Sequence, residues 1–240
     1  MLDSKKYGIY FNGHHSSEFG LICLQDKKIE MPSKNKILVE IPFSNSKLDL
    51  SNIYGDQIFN ERTYTQVFNL KVEQYNKESL YHLWTKVINW LMDTNSKIPL
   101  FDDVMQRYYY LAEVQEAPNF EELLHWGSLT VTWQCYPFRI SALPEGNDIW
   151  NTFDFDFDIA QKVKYTIVDD LEITLLNNSA SSVVPSLVTD SDMQINFNNQ
   201  QITLKKGTTK DSLITLKKGK NILNVTGSGN LEIIFNKELI

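Results

Sequence analysis

Apolar and polar positions alternate with a period of two along several stretches of the chain, and with a helical period along one. Across residues 62–72, Tyr64, Gln66, Phe68 and Leu70 point one way and Thr63, Thr65, Val67, Asn69 and Lys71 the other, the two-residue repeat of a strand. Residues 127–135 alternate more cleanly. Leu129, Val131, Trp133 and Cys135 form one face and Ser128, Thr130, Thr132 and Gln134 the other, which predicts a half-buried antiparallel strand. Between these two the period changes. Leu80, Leu83, Trp84, Val87, Ile88 and Leu91 recur at i, i+3, i+4 and i+7, predicting an amphipathic helix over residues 77–93 with Asn76 as N-cap and Pro99 past its end. Further strands are expected over residues 7–11, ending in the turn Asn12-Gly13, over 19–24, over 36–41 as far as Pro42, and at Tyr108-Tyr109-Tyr110.

The second half reads as strands and turns only. Strands are expected over residues 153–158, 162–168, 172–176, 193–197, 201–204, 213–216, 222–225 and 231–235. Turn residues separate them, among them Asn177-Asn178-Ser179, Asn198-Asn199, Lys218-Gly219-Lys220-Asn221 and Gly227-Ser228-Gly229-Asn230. Short strands at such spacing predict a β-sandwich. The hexapeptide ITLKKG occurs at residues 202–207 and again at 214–219, and two similar strands of one sandwich would account for both copies.

Composition separates the halves. Of 29 aromatic residues, 22 fall within 1–138 and only 7 within 139–240. With two prolines and a glycine in residues 137–146, this predicts two domains, 1–138 and 139–240. The fold class expected is mainly β with one helix, which lies in the N-terminal domain. A chain with 42% hydrophobic and 22% charged residues is folded and globular. A net charge of −7 argues against a general nucleic-acid binder, and no apolar run is long enough to span a bilayer. No signal peptide is visible, so the protein is expected to be made in a cytoplasm. Its two cysteines, Cys23 and Cys135, fit buried thiols better than a disulfide framework.

Candidate chemistry is sparse. His14, His15 and Glu18 invite a metal, but adjacent histidines on a strand face opposite ways and no third ligand follows, so no metal site is expected. Asp154, Asp156 and Asp158 share one face of the expected strand, with Phe153, Phe155 and Phe157 buried behind, and read as a solvated face. Cys23 or Cys135 could pair with His82 or His125 only through the fold. Asn177 and Asn224 begin sequons that carry no meaning without secretion. No nucleophile elbow, zinc motif or phosphate loop is present, so neither catalytic residues nor cofactors are expected. Residues 202–220 hold six lysines against Asp211, while 145–172 hold eight acids and two lysines, both halves of a self-complementary contact.

The order of elements resembles the distal tail (Dit) proteins of long-tailed phages that infect Gram-positive bacteria. The likeness covers about residues 5–140. It rests on Asn12-Gly13 after a short strand, Phe19-Gly20-Leu21, the extended KILVEIPF segment and the helix. Its most specific pieces are Phe101-Asp102-Asp103 leading to Arg107-Tyr108-Tyr109, and Thr132-Trp133-Gln134-Cys135-Tyr136-Pro137. One departure is that residues 43–49 lack the glycines common there. The resemblance implies an N-terminal β-sandwich that closes a ring and a C-terminal galectin-like or carbohydrate-binding-module-like sandwich that projects outward. It implies a homo-hexameric structural hub of the virion, not an enzyme, at the distal end of the tail. The expected partners are the tail tube protein, a tail-associated tip protein and a receptor-binding protein, with no sequence recognition of nucleic acid and no membrane. The alternative is a carbohydrate-binding module for host cell-wall polysaccharide. That reading is disfavoured because the second half offers few aromatics outside the expected strand core to build a stacking platform.

Overall fold

The computed structural model describes residues 7–53, 55–72, 76–123 and 126–240. The chain is mainly β and divides into two compact units, residues 1–139 with Ile240, and residues 140–239.

The first unit contains strands β1 (Ile9–Phe11), β2 (His14–His15), β3 (Leu21–Ile29), β4 (Leu38–Glu40), β5 (Lys47–Asp49) and β6 (Arg62–Leu70), then helix α1 (Lys77–Met92). Strands β7 (Ile98–Asp102), β8 (Tyr108–Glu113), β9 (Asn119–Glu122) and β10 (Gly127–Ser141) follow. The main sheet runs β2-β1-β7-β8-β10-β6-β3, with β9 also on β10, while β4 and β5 pair only with each other. The alternation in β6 and β10 does what the sequence predicts. Every second residue of both is buried, and they pair with Trp133 opposite Tyr64 and Leu129 opposite Phe68. Trp133 is fully buried, and the rings of Phe11, Tyr64 and Phe68 meet it edge-on at 6.0, 5.7 and 6.3 Å. The strand does not stop at Pro137. Pairing with β6 ends at Cys135, so the missing proline N–H removes no β6–β10 bond.

Helix α1 buries Leu80, Val87, Trp90 and Leu91, and the Asn76 side chain accepts the Ser79 N–H at 2.6 Å, the cap its sequence predicts. Its C-terminal end is tied to the Asn12-Gly13 turn. Both residues have positive φ (43° and 77°), as a two-residue hairpin loop needs. Asn12 Nδ2 donates to the carbonyls of Trp90 and Asp93 at 3.0 and 3.1 Å, and Trp90 Nε1 donates to the Phe11 carbonyl at 2.8 Å. The turn thus satisfies carbonyls that the helix end leaves open.

The second unit contains β11 (Lys164–Asn177), β12 (Ser186–Thr189), β13 (Met193–Phe197), β14 (Gln200–Leu204), β15 (Gly207–Thr209), β16 (Gly219–Ile234) and β17 (Glu238–Leu239). The whole of β11 pairs with β16, from Gly219 to Glu232. On its other edge β16 takes β13 near Val225 and β12 near Ile233, so one curled sheet wraps a single core. Several expectations fail here. Residues 162–168 and 172–176 belong to one strand, with Asp169 at φ 67° taking the bend. Residues 222–225 and 231–235 are likewise joined in β16, which runs on to Ile234: Gly227 and Gly229 (φ 139° each) bend it rather than end it. Residues 213–216 form no strand; only Leu216 bridges Val183, so the two ITLKKG copies differ in structure, the first supplying part of β14. Residues 153–158 are not a strand either. A one-turn 3-10 helix (Trp150–Thr152) leads into a turn in which the Asp156 N–H bonds Asp154 Oδ1 at 3.0 Å and the Asp154 N–H bonds Asp158 Oδ2 at 2.8 Å. Aspartates that bond nearby main chain prefer turns to ladders, and here they override the two-residue repeat.

Candidate assembly site

Two features of the first unit bear on function: a buried polar knot and an exposed hairpin. The knot is built from the Phe101-Asp102-Asp103 segment at the end of β7. Asp102 is 2% exposed. Its Oδ2 accepts Tyr64 Oη at 2.9 Å, Tyr7 Oη at 3.4 Å and Lys27 Nζ, while Oδ1 accepts the Val104 N–H at 3.0 Å. Lys27 reaches it from beyond a bulge in β3, where the register slips between Cys23 and Lys27 and the Gln66 amide bonds the Leu24 carbonyl at 2.8 Å. Asp103 Oδ2 accepts the Gly8 N–H at 3.0 Å and lies 3.1 Å from His15 Nε2. Burial pushes the Tyr64 hydroxyl far above its ordinary range, and raises Tyr7 less. A buried carboxylate with a lysine and two donating phenols is fully engaged. It fastens β1, β3, β6 and β7 together and leaves no free base.

The other sequence candidates are also spoken for. His14 Nδ1 lies 2.8 Å from Glu18 Oε2, and His15 Nδ1 lies 2.6 Å from Ser17 Oγ, so the two imidazoles serve separate local bonds. Among the described residues, no group of three or more His, Cys, Asp or Glu could hold a metal ion. Cys135 is buried in the core whereas His82 is exposed on α1; His125 lies outside the described residues. Burial pushes both thiols up to about 12. Among the described residues, no helix is long and apolar enough to cross a membrane.

The hairpin of β4 and β5 stands apart from the main sheet. Its register sets Val39 opposite Leu48 and Glu40 opposite Lys47. Ion pairs fasten it, Lys36 to Asp49 at 2.8 Å and Lys47 to Glu40 at 3.0 Å. The Lys36 and Ser51 hydrogen bonds hold the Asp49 carboxyl well below the usual carboxylate range. Pro42 ends the first strand and Phe43 takes a positive φ of 61° at the tip, fully exposed. Ile37, Leu38, Val39, Ile41 and Leu48 are each at least 42% exposed. Aliphatic residues on both faces of a two-stranded arm are left uncovered by the described residues, the condition of a surface that another molecule covers. The sequence predicts a strand here but not its isolation.

No family model matches the sequence, and neither does any curated protein. Its structure, however, is similar to the crystal structure of SPP1 Dit (gp 19.1), described as a paradigm of the hub adsorption apparatus in Gram-positive infecting phages. The match has a TM-score of 0.65 at 11% identity and covers 98% of this chain and 100% of that one. The chain has the fold of a Dit protein. At this identity the likeness speaks to fold and not to residues. Within this chain the polar knot is buried, whereas the arm of residues 37–48 is exposed.

Proposed function

We propose that this chain is a structural component of a phage tail: a distal tail protein that assembles as a homo-hexameric hub joining the tail tube to the tip. The observation that carries this reading is the match to a hub protein along the whole of both chains. The apolar arm of residues 37–48 supports it, since a protein that acts by assembly needs a face that is unsatisfied in the single chain. In this reading residues 1–138 form the ring and residues 139–240 form a galectin-like sandwich that projects from it. Partners are the tail tube protein, a tail-associated tip protein and a receptor-binding protein, and the site of action is the distal end of the virion. The protein acts by contact and not by catalysis.

The test is solution mass by light scattering with negative-stain images of the same fraction. A mass of about six protomers and a ring with a central hole are expected, since closed cyclic symmetry needs matching interfaces. A strict monomer at high concentration, both alone and with tail tube protein, would overturn the hub.

A further inference from the structure

Arg62 opens β6 on the same buried face as Tyr64 and Phe68, and it is only 2% exposed. A guanidinium keeps its charge when buried and has five N–H donors to satisfy. Here Nε donates to the Glu30 carbonyl at 2.9 Å and Nη2 to the Met31 sulfur at 3.0 Å, while Nη1 has no partner among the described residues. Arg139, half-buried near the end of β10, repeats the arrangement. Its Nη1 donates to the Met105 sulfur at 3.0 Å, and its buried Nε has no partner among the described residues. A thioether is a weak acceptor, ill matched to a cation.

The two guanidiniums are neighbours. Arg62 lies over the Tyr110 ring and Arg139 over the Tyr108 ring, each 5.5 Å from the centroid. Tyr108 and Tyr110 are two positions apart on β8, so they share a face and sit about 6.5 Å apart along it. Burial draws the Arg62 guanidinium below its ordinary range, and the charge of Arg139 adds to the effect. The acids of the adjoining segments are engaged elsewhere: Glu61 and Glu113 pair with Lys97, and Glu30 pairs with Lys28. Two like charges held together without a counter-charge are costly, one of them being buried. The planar fork of arginine matches the oxygens of a phosphate or carboxylate, and a divalent ion would cancel both charges. The way in is through Met31. That side chain is 71% exposed and unbranched, so its rotation alone uncovers Arg62. An opening one side chain wide suits a free ion better than a segment of polymer.

We propose that Arg62 and Arg139 bind one small oxyanion of the phosphate class. Its oxygens take the places of the Met31 and Met105 sulfurs and reach Arg62 Nη1 and Arg139 Nε. The site lies within the first unit and does not need the hub.

The test is calorimetric titration of the full-length protein with inorganic phosphate against chloride at constant ionic strength, with melting curves of the same samples. Saturable binding of one phosphate per chain is expected, with a melting midpoint that climbs with the logarithm of phosphate concentration above Kd. Arg139→Gln should weaken binding about tenfold or more. Met31→Glu offers Arg62 a carboxylate of its own from an exposed position. It should abolish phosphate binding while melting in chloride stays equal to the parent or rises. No saturable binding would overturn the site. So would a phosphate effect that never saturates and persists in Arg139→Gln, since that is general salt stabilisation. Undiminished binding in Met31→Glu would do the same. If phosphate fails to bind and Arg139→Gln instead lowers the solution mass, the arginines receive a carboxylate from another chain and the free-ion site falls. Light scattering of the parent protein in chloride reads the hub independently, so failure of one proposal leaves the other standing.

Discussion

Replacing Lys237 by methionine tests the best-defined energetic feature of the second unit. The side chain is fully buried, and its ammonium bonds the Phe157 carbonyl at 2.7 Å, Asp158 Oδ1 and, at 3.4 Å, Glu145 Oε1. Methionine fills nearly the same space but leaves two acids without a counter-charge. Removing one partner of a buried ion pair costs about 3–5 kcal/mol. For a unit of about 100 residues each kcal/mol lowers the midpoint by about 4–8 °C, so Lys237→Met should lower that transition by at least about 12 °C in scanning calorimetry. The sign with pH follows from Glu145, whose carboxyl is raised by burial even with Lys237 beside it. A raised acid is easier to fold protonated, so the defect should be largest at neutral pH and shrink as pH falls through the raised value. Adding Glu145→Gln and Asp158→Asn should recover part of the loss, because the stranded charges disappear. Hydrogen exchange should meanwhile show residues 153–158 released in Lys237→Met. A shift below about 3 °C for Lys237→Met, or a triple variant worse than the single one, would refute the account.

Trp133→Ala empties the centre of the first core, where Phe11, Tyr64 and Phe68 surround the indole, and should cost about 3–5 kcal/mol by denaturant unfolding with loss of near-ultraviolet dichroism. With both thiols raised to about 12 by burial, neither Cys23 nor Cys135 should react with a thiol reagent at about pH 8 in the native protein, and both should react once it is unfolded. Phe43→Ser at the exposed hairpin tip should leave melting unchanged and shift the light-scattering mass toward monomer; a normal mass would remove the arm from the interface. Because Asp49 is held below its ordinary pKa, the Lys36–Asp49 contribution persists as pH falls through the usual aspartate range near about 4 and is lost only in stronger acid, which a carboxylate NMR titration of the hairpin would show.

The sequence was legible where one physical demand dominated. β6 and β10 bury one face each, so their two-residue repeat reports the fold directly, and the helix and its Asn76 cap follow from the same logic. It misled where two demands competed. The FDFDFD segment has a strand's repeat but aspartates that bond their own main chain, and the turn wins because Lys237, some 80 positions on, supplies the charge that anchors it. Gly227 and Gly229 signal a turn, yet β11 pairs on through them, so they bend a long strand. Such outcomes depend on partners remote in sequence, which periodicity cannot register. The same holds for exposure: nothing in residues 36–41 distinguishes a strand buried in a sheet from one held out in water.

Two exposed apolar features are unlike in build. The β4–β5 arm is aliphatic on both faces, held by its own two-stranded ladder and by exposed ion pairs, and separate from the main sheet. Such pairs add little stability, so the arm can adjust to a surface that closes over it, and its side chains gain by being buried in bulk. That suits a protein partner. The rings of Trp150, Phe153 and Phe155 contact one another, and the turn that follows them is tied to the buried Lys237. The cost of burying Lys237 is offset by Glu145, Asp158 and the Phe157 carbonyl, which together hold the turn in place.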